Sequence, residues 1–227
     1  MHNSVKFAAA AIALLLCGCS GEAVRVEFAE KAYETGNSEV EAYVPHFECE
    51  TKSEFAEEMS AEYDTMMMSL LDEFIAKTEQ STERSEFKLE SEVKMNNGKL
   101  VSVVSEGEVY TGGAHGEKFR VSRTFDFAEG RTVTLEDIFA DDGWRMAVDA
   151  KMDRLATSGE GEYKELWEKP STSLLRPENF YINNDAIVLY FLPYELSYYR
   201  RGFVEFEFKF DELSGYLSEY IQNLINQ

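Results

Sequence analysis

The chain of 227 residues is 44% apolar, which is enough to bury one sizeable core or two small ones. Its 43 acidic residues outnumber its 22 basic residues, and a negative field of this size argues against nucleic acid and anionic lipid as partners. The same field speeds encounters with cations and basic proteins, although many secreted proteins are acidic for solubility alone.

Residues 1–18 are predicted to be a bacterial lipoprotein signal peptide rather than part of the fold. Lys6 supplies a positive start, and residues 7–16 form an apolar run too short for a stable membrane span. Gly18 directly precedes Cys19, a pattern that resembles the lipobox, in which the cysteine becomes the lipidated first residue. Cys19 is therefore the predicted lipidation site. Cys17 is disfavoured because a bulky residue precedes it, and a non-lipidated secretory signal is the alternative.

Cleavage before Cys19 would leave residues 19–23 as a lipidated tether and residues 24–227 as the folded domain. The mature chain would carry 21 basic and 43 acidic residues, a net charge of −22. We expect it in the bacterial cell envelope, on the periplasmic or surface side, attached to the membrane by its lipid only. Cys49 is then the one thiol of the folded part, predicted to be buried and without a disulfide.

The first part of the domain predicts two strands and a long helix. Alternating apolar residues predict strands over 24–28 and 42–49, joined by a polar turn at 35–38. Ser53 is the predicted N-cap of a helix that runs to about Lys77. Three successive methionines at 66–68 could suggest a metal-binding cluster, but adjacent residues point in different directions on a helix, which favours packing. The predicted buried face comprises Phe55, Met59, Met66, Leu70, Leu71, Phe74 and Ile75.

The middle of the chain predicts a hairpin, a glycine loop and a short capped helix. Strands are predicted from 87 to 93 and from 99 to 109, with a tight turn at 96–99. Residues 110–117 contain three glycines within five positions, and the alternating segment 119–127 predicts the outgoing strand. After a turn at 128–131, Thr134 is predicted to cap a short helix over 135–139.

The last part predicts two further helices, a hairpin, a strand and a C-terminal helix. One helix is predicted over 144–155, and a shorter one over 163–167 ahead of Pro170. The hairpin has strands at 179–182 and 186–191, and the next strand, 203–210, has one solvent-facing side. Asp211 is predicted to begin the final helix, which buries Leu213, Leu217, Ile221 and Leu224.

Strands and helices are intermixed along the chain, so the predicted fold class is α+β. We expect a mixed, largely antiparallel sheet, or more than one, packed with the long N-terminal helix and the C-terminal helix. One domain is predicted over 24–227, with a possible sub-boundary near residues 80–85.

The glycine loop is the first candidate site. Gly112 and Gly113 indicate demanding backbone geometry, and His115 is one of two histidines in the folded part. His115 could act as a general base, but a base needs a positioned nucleophile and an orienting partner. The sequence contains no nucleophile elbow, metalloprotease helix or phosphate-binding loop, and too few histidines and cysteines for a typical zinc site. It therefore predicts no catalytic residue, metal or cofactor, and His115 is expected to stabilise its own loop.

Segment 191–202 is the second candidate site. It joins two predicted strands and yet contains three tyrosines, two arginines and a proline. Tyrosine and arginine are enriched among the residues that dominate binding energy. The alternative is that Tyr194 and Tyr198 cover the edge of the core. The predicted binding residues are Pro193, Tyr194, Glu195, Tyr198 and Tyr199.

Several motifs occur in order along the chain. They are Tyr110-Thr111-Gly112-Gly113-Ala114-His115-Gly116, Phe125-Asp126-Phe127, Gly130-Arg131, Leu135-Glu136-Asp137-Ile138-Phe139 and Phe191-x-Pro193-Tyr194-Glu195. Together they resemble the RsiV-like extracellular domain, a bacterial module of unknown function that is shared with the non-catalytic N-terminal part of peptidoglycan deacetylases similar to PdaC. In the best-understood relatives, this domain lies outside an anti-sigma factor and binds lysozyme as a signal.

The resemblance implies a lipid-anchored envelope protein that binds a protein partner such as a lysozyme-like muramidase. Because the sequence lacks a transmembrane helix, a sigma-binding segment and a deacetylase domain, signalling by cleavage and deacetylation are not expected. A peptidoglycan- or glycan-binding module is the alternative, with Tyr194, Tyr198, Tyr199 and Trp144 as stacking candidates. A hydrolase centred on His115 is the third hypothesis, which a concave pocket enclosing His115 with a carboxylate would favour.

Overall fold

The computed structural model of the chain describes residues 11–12, 24–79 and 81–225. The predicted lipidation site, Cys19, and the tether lie outside the described residues, and of the predicted signal peptide only Ala11–Ile12 are described. The fold class is α+β, as predicted, with one large and largely antiparallel sheet, a smaller second sheet and α-helices.

The larger sheet takes its strands in chain order. They are β1 (Ala11–Ile12), β2 (Arg25–Thr35), β3 (Ser38–Glu48), β4 (Ser85–Asn96), β5 (Leu100–Tyr110), β6 (Glu117–Asp126) and β7 (Arg131–Thr132). β2 and β3 form an antiparallel hairpin, whereas β3 and β4 pair parallel, with Ser38 beside Ser85. A parallel pair needs a crossover connection, and helix α1 (Ser53–Thr78) supplies it.

The smaller sheet is fully antiparallel in the order β10-β9-β8, with β8 at Phe180–Ile182, β9 at Ala186–Phe191 and β10 at Val204–Lys209. Three further α-helices are described, namely α2 (Leu135–Ile138), α3 (Trp144–Ser158) and α4 (Glu219–Ile225). Single 3₁₀ turns lie at Gly161–Tyr163 and Tyr199–Arg201. β8 and β9 confirm the predicted hairpin at 179–191, and β10 confirms the strand predicted over 203–210 with one solvent-facing side.

The chain folds into two compact units. The first, here the N-terminal unit, contains the described residues up to Val93 together with 104–120 and 127–130, and the C-terminal unit contains 94–103, 121–126 and the described residues from Arg131 onward. Along the chain, the first boundary between the two units lies between Val93 and Lys94. The predicted sub-boundary was near residues 80–85.

The N-terminal unit buries one face of α1 against its strands. That face is displaced from the predicted one, because Ile75 is 45% exposed and Met67, rather than Met66, is the methionine that is fully buried. The helix also begins one residue earlier than expected, with Lys52 and not Ser53 at the N-cap. Met68 points to solvent, so the three methionines do point in different directions, as predicted. The buried positions are Ala56, Met59, Tyr63, Met67, Leu71, Phe74 and Thr78.

Cys49 is buried and free in the N-terminal unit, as predicted. Its Sγ atom lies 3.7 Å from Oγ1 of Thr51. Nearby, the ring of Phe47 packs against Tyr63 and Phe127, with centroid distances of 5.8 and 6.1 Å. The thiol therefore behaves as a small core residue.

The C-terminal unit has its own hydrophobic core, built from β8–β10, α3 and α4. Hydroxyl groups are paired inside this unit, because a buried polar group without a partner is costly. Ser102 lies 2.9 Å from Thr124 Oγ1 and accepts the backbone N–H of Ile182 at 3.0 Å. Ser122 lies 2.9 Å from the phenolic oxygen of Tyr190.

Thr134 caps helix α2, as predicted, and with Asp137 it forms a capping box. The Asp137 carboxylate accepts hydrogen bonds from the backbone N–H and the hydroxyl of Thr134, both at 2.7 Å, and from Arg131 at 2.7 Å. Burial alone would raise the pKa of Asp137, but the bonds from Arg131 and Thr134 outweigh burial and lower that pKa. Arg131 also lies over the ring of Tyr220, whose pKa burial raises.

Two helix predictions in the C-terminal unit are wrong. Segment 163–167 is not helical: one 3₁₀ turn ends at Tyr163, and Glu165 adopts a positive φ of 69°, which an α-helix cannot contain. The final helix begins at Glu219 rather than Asp211, because residues 211–216 form successive turns. The four residues predicted to be buried here, Leu213, Leu217, Ile221 and Leu224, are nevertheless all in the core.

Candidate functional site

Tyr194 stands at a sharp turn in the loop between β9 and β10. It has a positive φ of 72° and is 56% exposed. A positive φ is uncommon for a residue other than glycine and costs free energy, so the surroundings must hold the turn. The Glu195 carboxylate accepts the backbone N–H of Leu192 at 2.6 Å, and the Glu195 N–H donates to the Leu192 carbonyl at 3.1 Å. This turn directs the Tyr194 side chain to solvent.

Glu195 was predicted to bind a partner, but its contacts are internal. Its second carboxylate oxygen accepts a hydrogen bond from Nε of Arg176 at 3.0 Å. Both oxygens of the side chain are therefore used within the chain. Glu195 positions Tyr194 rather than offering a free carboxylate.

Tyr198 is 54% exposed, whereas its neighbours Leu196 and Ser197 are buried. Trp167, from a different loop, is 48% exposed and meets Tyr198 edge to face, with 4.7 Å between ring centroids. Tyr194 and Tyr199 form a second ring pair at 5.6 Å. We call Tyr194, Tyr198, Tyr199 and Trp167 the aromatic surface.

Segment 161–167 is attached to the loop 192–202 along its length. The Trp167 N–H donates to the Leu196 carbonyl at 3.0 Å, and the Ser197 hydroxyl donates to the Glu165 carbonyl at 3.2 Å. Arg200 pairs with the Glu165 carboxylate at 2.7 Å. Arg201 donates to the carbonyl oxygens of Gly161 and Lys164. These contacts place Trp167 beside Tyr198 and involve both loop arginines in internal bonds.

The sequence did not identify Trp167 as a binding residue. A tryptophan among charged residues three positions before Pro170 was interpreted as the end of a helix. Tyr163 explains the different path: its ring stacks on Phe206 at 5.0 Å, and its hydroxyl donates to the Glu205 carbonyl at 3.1 Å. Only these tertiary contacts reveal where Trp167 lies.

Trp144, predicted as a glycan-stacking residue, is a core residue instead. It is 3% exposed and stacks on Phe139 with 4.1 Å between centroids and 9° between planes. Its position at the first turn of α3 turns it inward, so it cannot offer a face to a sugar.

The glycine loop lies in the N-terminal unit. Gly112 and Gly113 have φ values of 100° and 99°, which confirms the demanding backbone geometry. The Tyr110 hydroxyl donates to the Gly113 carbonyl at 3.0 Å. His115 is exposed, and its Nδ1 lies 2.8 Å from the Gly116 carbonyl, which can only accept, so Nδ1 donates. These bonds fit the expected loop-stabilising role of His115.

Charge is distributed unequally between the units. The described residues of the N-terminal unit contain 23 acidic and 8 basic side chains, a net charge of −15. Those of the C-terminal unit contain 19 acidic and 13 basic side chains, a net charge of −6. The negative field of the protein therefore originates mainly from the N-terminal unit.

Within the described ranges, no group of three or more histidine, cysteine or carboxylate side chains could hold a metal ion. No described helix is long and apolar enough to cross a membrane. The predicted site residues belong to separate units: Gly112, Gly113 and His115 to the first, and residues 193–199 to the second.

Two family models match successive parts of the chain. Residues 32–118 are similar to the family described as Deacetylase PdaC, and residues 136–211 to a protein of unknown function, DUF3298. No curated protein matches the chain. The PdaC part of the predicted resemblance thus agrees with the first of these matches.

Two crystal structures share the fold. A DUF3298 family member from Bacteroides fragilis has a TM-score of 0.63 at 17% identity, covering 90% of this chain and 97% of its own. A DUF3298 family protein from Pseudomonas aeruginosa has a TM-score of 0.62 at 13% identity, covering 88% and 96%. At these identities the likeness concerns the fold alone. The chain therefore contains PdaC-like and DUF3298-like parts within a fold also found in DUF3298 proteins.

Proposed function

We propose that this chain is a lipid-anchored protein of the bacterial envelope that binds a basic protein partner, of the lysozyme type, through its aromatic surface. The observation that carries this proposal is the exposure of Tyr194, Tyr198 and Trp167 on loops held by internal hydrogen bonds. Exposed rings held in place lose little conformational entropy on binding, which is why Tyr and Trp dominate binding hot spots.

Charge supports a basic partner. A mature net charge of −22 raises the rate at which a cationic protein meets this surface. Long-range attraction acts mainly on encounter, whereas packed aromatic contacts act on dissociation. The proposal therefore assigns steering to the acidic field and affinity to the aromatic surface.

A binding role, rather than catalysis, is supported by the glycine loop. His115 donates its Nδ1 hydrogen to a backbone carbonyl and is exposed to solvent. A general base needs a positioned proton donor in a water-excluding site. Exposure of this kind favours a structural side chain.

The test is calorimetric titration of the chain from Ser20 onward with a c-type lysozyme. Cytochrome c is the control, because it is basic but shares no recognition surface with lysozyme. Charge steering is screened over about 8 Å at physiological ionic strength, so binding through charge alone fades as salt rises. We expect lysozyme binding to persist at ~0.3 M salt and cytochrome c binding to disappear. If the chain bound lysozyme and cytochrome c with equal affinity at every salt concentration, net charge alone would explain the binding and the proposed recognition of lysozyme would be wrong.

Recognition of peptidoglycan or another glycan is the second candidate, favoured by the edge-to-face pair of Trp167 and Tyr198. Sugar rings stack on exposed aromatic faces, and the pair leaves both rings half exposed. The protein has only two tryptophans, and Trp144 is buried. A change in tryptophan fluorescence with chitohexaose that is lost in Trp167→Phe would therefore report glycan binding at this surface, and an unchanged spectrum would exclude it there.

A further inference from the structure

A cavity of about 190 Å³ opens in the N-terminal unit between α1 and the strands that flank the glycine loop. Its apolar lining comprises Leu70 and Phe74 from α1, Val109 from β5 and Phe119 from β6. Charged side chains surround the apolar part, namely Glu73, Lys77, Glu117 and Lys118. An apolar pocket with a few polar groups at its edge is the usual form of a binding site.

Gly107 keeps one wall of this cavity in place. A Cβ atom at Gly107 would lie 2.2 Å from Cζ of Phe119 and 2.7 Å from the carbonyl oxygen of Lys88. Only glycine therefore lets the Phe119 ring lie this close to the backbone of β5. Phe119 in turn packs on Phe87, with 5.9 Å between centroids, and Phe87 packs on Phe74 at 5.8 Å. The aromatic walls are thus held by one another and by the backbone.

The size of the cavity defines what it can hold. A cavity of about 150 Å³ lined by apolar side chains accommodates benzene. A cavity of about 190 Å³ has room for one aromatic ring or one branched aliphatic side chain. The group that enters it is therefore the size of a single apolar side chain.

The surrounding charge defines the neighbours of that side chain. The two glutamates and two lysines at the edge of the cavity cancel in formal charge, and Lys77 lies 2.9 Å from Glu73 and 3.8 Å from Glu117, so the sign of the surrounding field is set by the rest of the unit. Helix α1 contains seven acidic residues and one basic residue, and the unit has a net charge of −15. Potential of this sign favours basic residues on either side of the inserted group.

We infer that this cavity is a peptide-recognition pocket that takes one apolar side chain, aromatic or branched, from a basic segment of a partner protein. The inference goes beyond the proposed function, because it concerns a different unit and does not depend on the aromatic surface. Failure of either proposal leaves the other standing.

The probe is the tripeptide acetyl-Lys-Phe-Lys-amide, titrated into the chain from Ser20 onward with labelled leucine and valine methyl groups. We expect saturable shifts of the Leu70 and Val109 methyl signals. Acetyl-Lys-Ala-Lys-amide should bind at least about tenfold more weakly, because burying an aromatic side chain contributes more than the free energy of a tenfold change. Acetyl-Glu-Phe-Glu-amide should also bind more weakly than the basic peptide.

A matched pair of variants on one helix checks the location. Leu70→Trp should fill the cavity and abolish the shifts at Val109, whereas Met68→Trp, at an exposed position, should leave them unchanged. If the phenylalanine and alanine peptides bound with equal affinity, or if the two Trp variants bound the phenylalanine peptide equally, the cavity would not be the binding site for the apolar side chain. Equal binding of the acidic peptide would overturn the basic partner. Methyl shifts that depend on protein concentration without peptide would mean that another copy of the chain is the occupant.

Discussion

Tyr194 provides a direct test of how the aromatic surface is built. The pair of variants is Tyr194→Gly and Tyr194→Ala, which remove the same ring and differ only in the backbone preference of the new residue. Because φ is 72° at this position, the alanine variant retains the strain and the glycine variant relieves it.

The magnitude follows from two opposing contributions. A left-handed backbone destabilises the folded alanine variant by about 1–2 kcal/mol. The glycine variant avoids this strain, but its more flexible unfolded chain lowers its free energy of unfolding by about 0.4–1 kcal/mol. Tyr194→Gly should therefore be more stable than Tyr194→Ala by about 0.5–1 kcal/mol, or about 1–4 °C in melting temperature for a chain of this size.

The assay is thermal unfolding of both variants, with Ser69 as the control position. Ser69 is exposed within α1, so there Ser69→Ala should be more stable than Ser69→Gly by about 1 kcal/mol. The order of stability is thus predicted to reverse between the two positions. An alanine variant as stable as the glycine variant at position 194 would refute the strained turn, and with it the role of Glu195 in holding it.

Four further outcomes are expected. Gly113→Val should lower the free energy of unfolding by more than about 1 kcal/mol in urea titration, because φ is 99° there, and His115→Ala should cost less. Asp137→Asn should cost about 1 kcal/mol at pH 7 through loss of the cap. Because the folded pKa of Asp137 is lowered, this carboxylate stabilises the fold above its unfolded pKa of about 3.9, so the difference should shrink as melts are repeated below about pH 4. Cys19→Ala should abolish labelling by a fatty-acid probe, whereas the neighbouring Cys17→Ala should be processed normally, and labelling that survives the first change would contradict the lipobox. Gly107→Ala should displace the Phe119 ring and weaken binding of acetyl-Lys-Phe-Lys-amide, measured by the same methyl titration.

Local signals in the sequence predicted most of the elements. Alternation predicted β3 and β10, the Asn-Asn-Gly turn predicted the hairpin of β4 and β5, and Thr134 with Asp137 predicted the start of α2. Each of these depends on neighbouring residues only. They succeeded because hairpin turns and capping boxes are formed within a few residues of chain.

Longer-range packing decided the features that the sequence could not predict. The buried face of α1 is displaced because Tyr63 and Met67 face the core, which periodicity alone could not separate from Met66 and Leu70. Trp144 was assigned to a binding surface although Phe139, five residues earlier, returns to stack on it. Trp167 was missed because its position depends on hydrogen bonds to residues about 30 positions later.

The candidate site likewise combines features that are visible in the sequence with contacts that only the fold creates. From its composition, segment 191–202 was predicted to bind a partner or to cover the edge of the core, and its Tyr194 and Tyr198 side chains are exposed. Glu195 was a predicted binding residue, and the two arginines were part of the composition that suggested a binding segment, yet their polar groups bond within the chain. Composition identifies residue types that bind partners, but it cannot say which polar groups the fold has already used.

The measurement that tests the central claim most directly is lysozyme affinity of the double variant Tyr194→Ala, Tyr198→Ala at ~0.3 M salt, where steering is screened. Met146→Ala, an exposed apolar residue of the same unit, is the matched control at 77% exposure. The double variant should lose on the order of 2 kcal/mol or more, about thirtyfold in Kd, and the control should bind like the unaltered chain. Retention of full affinity by the double variant would contradict the assignment of binding to the aromatic surface.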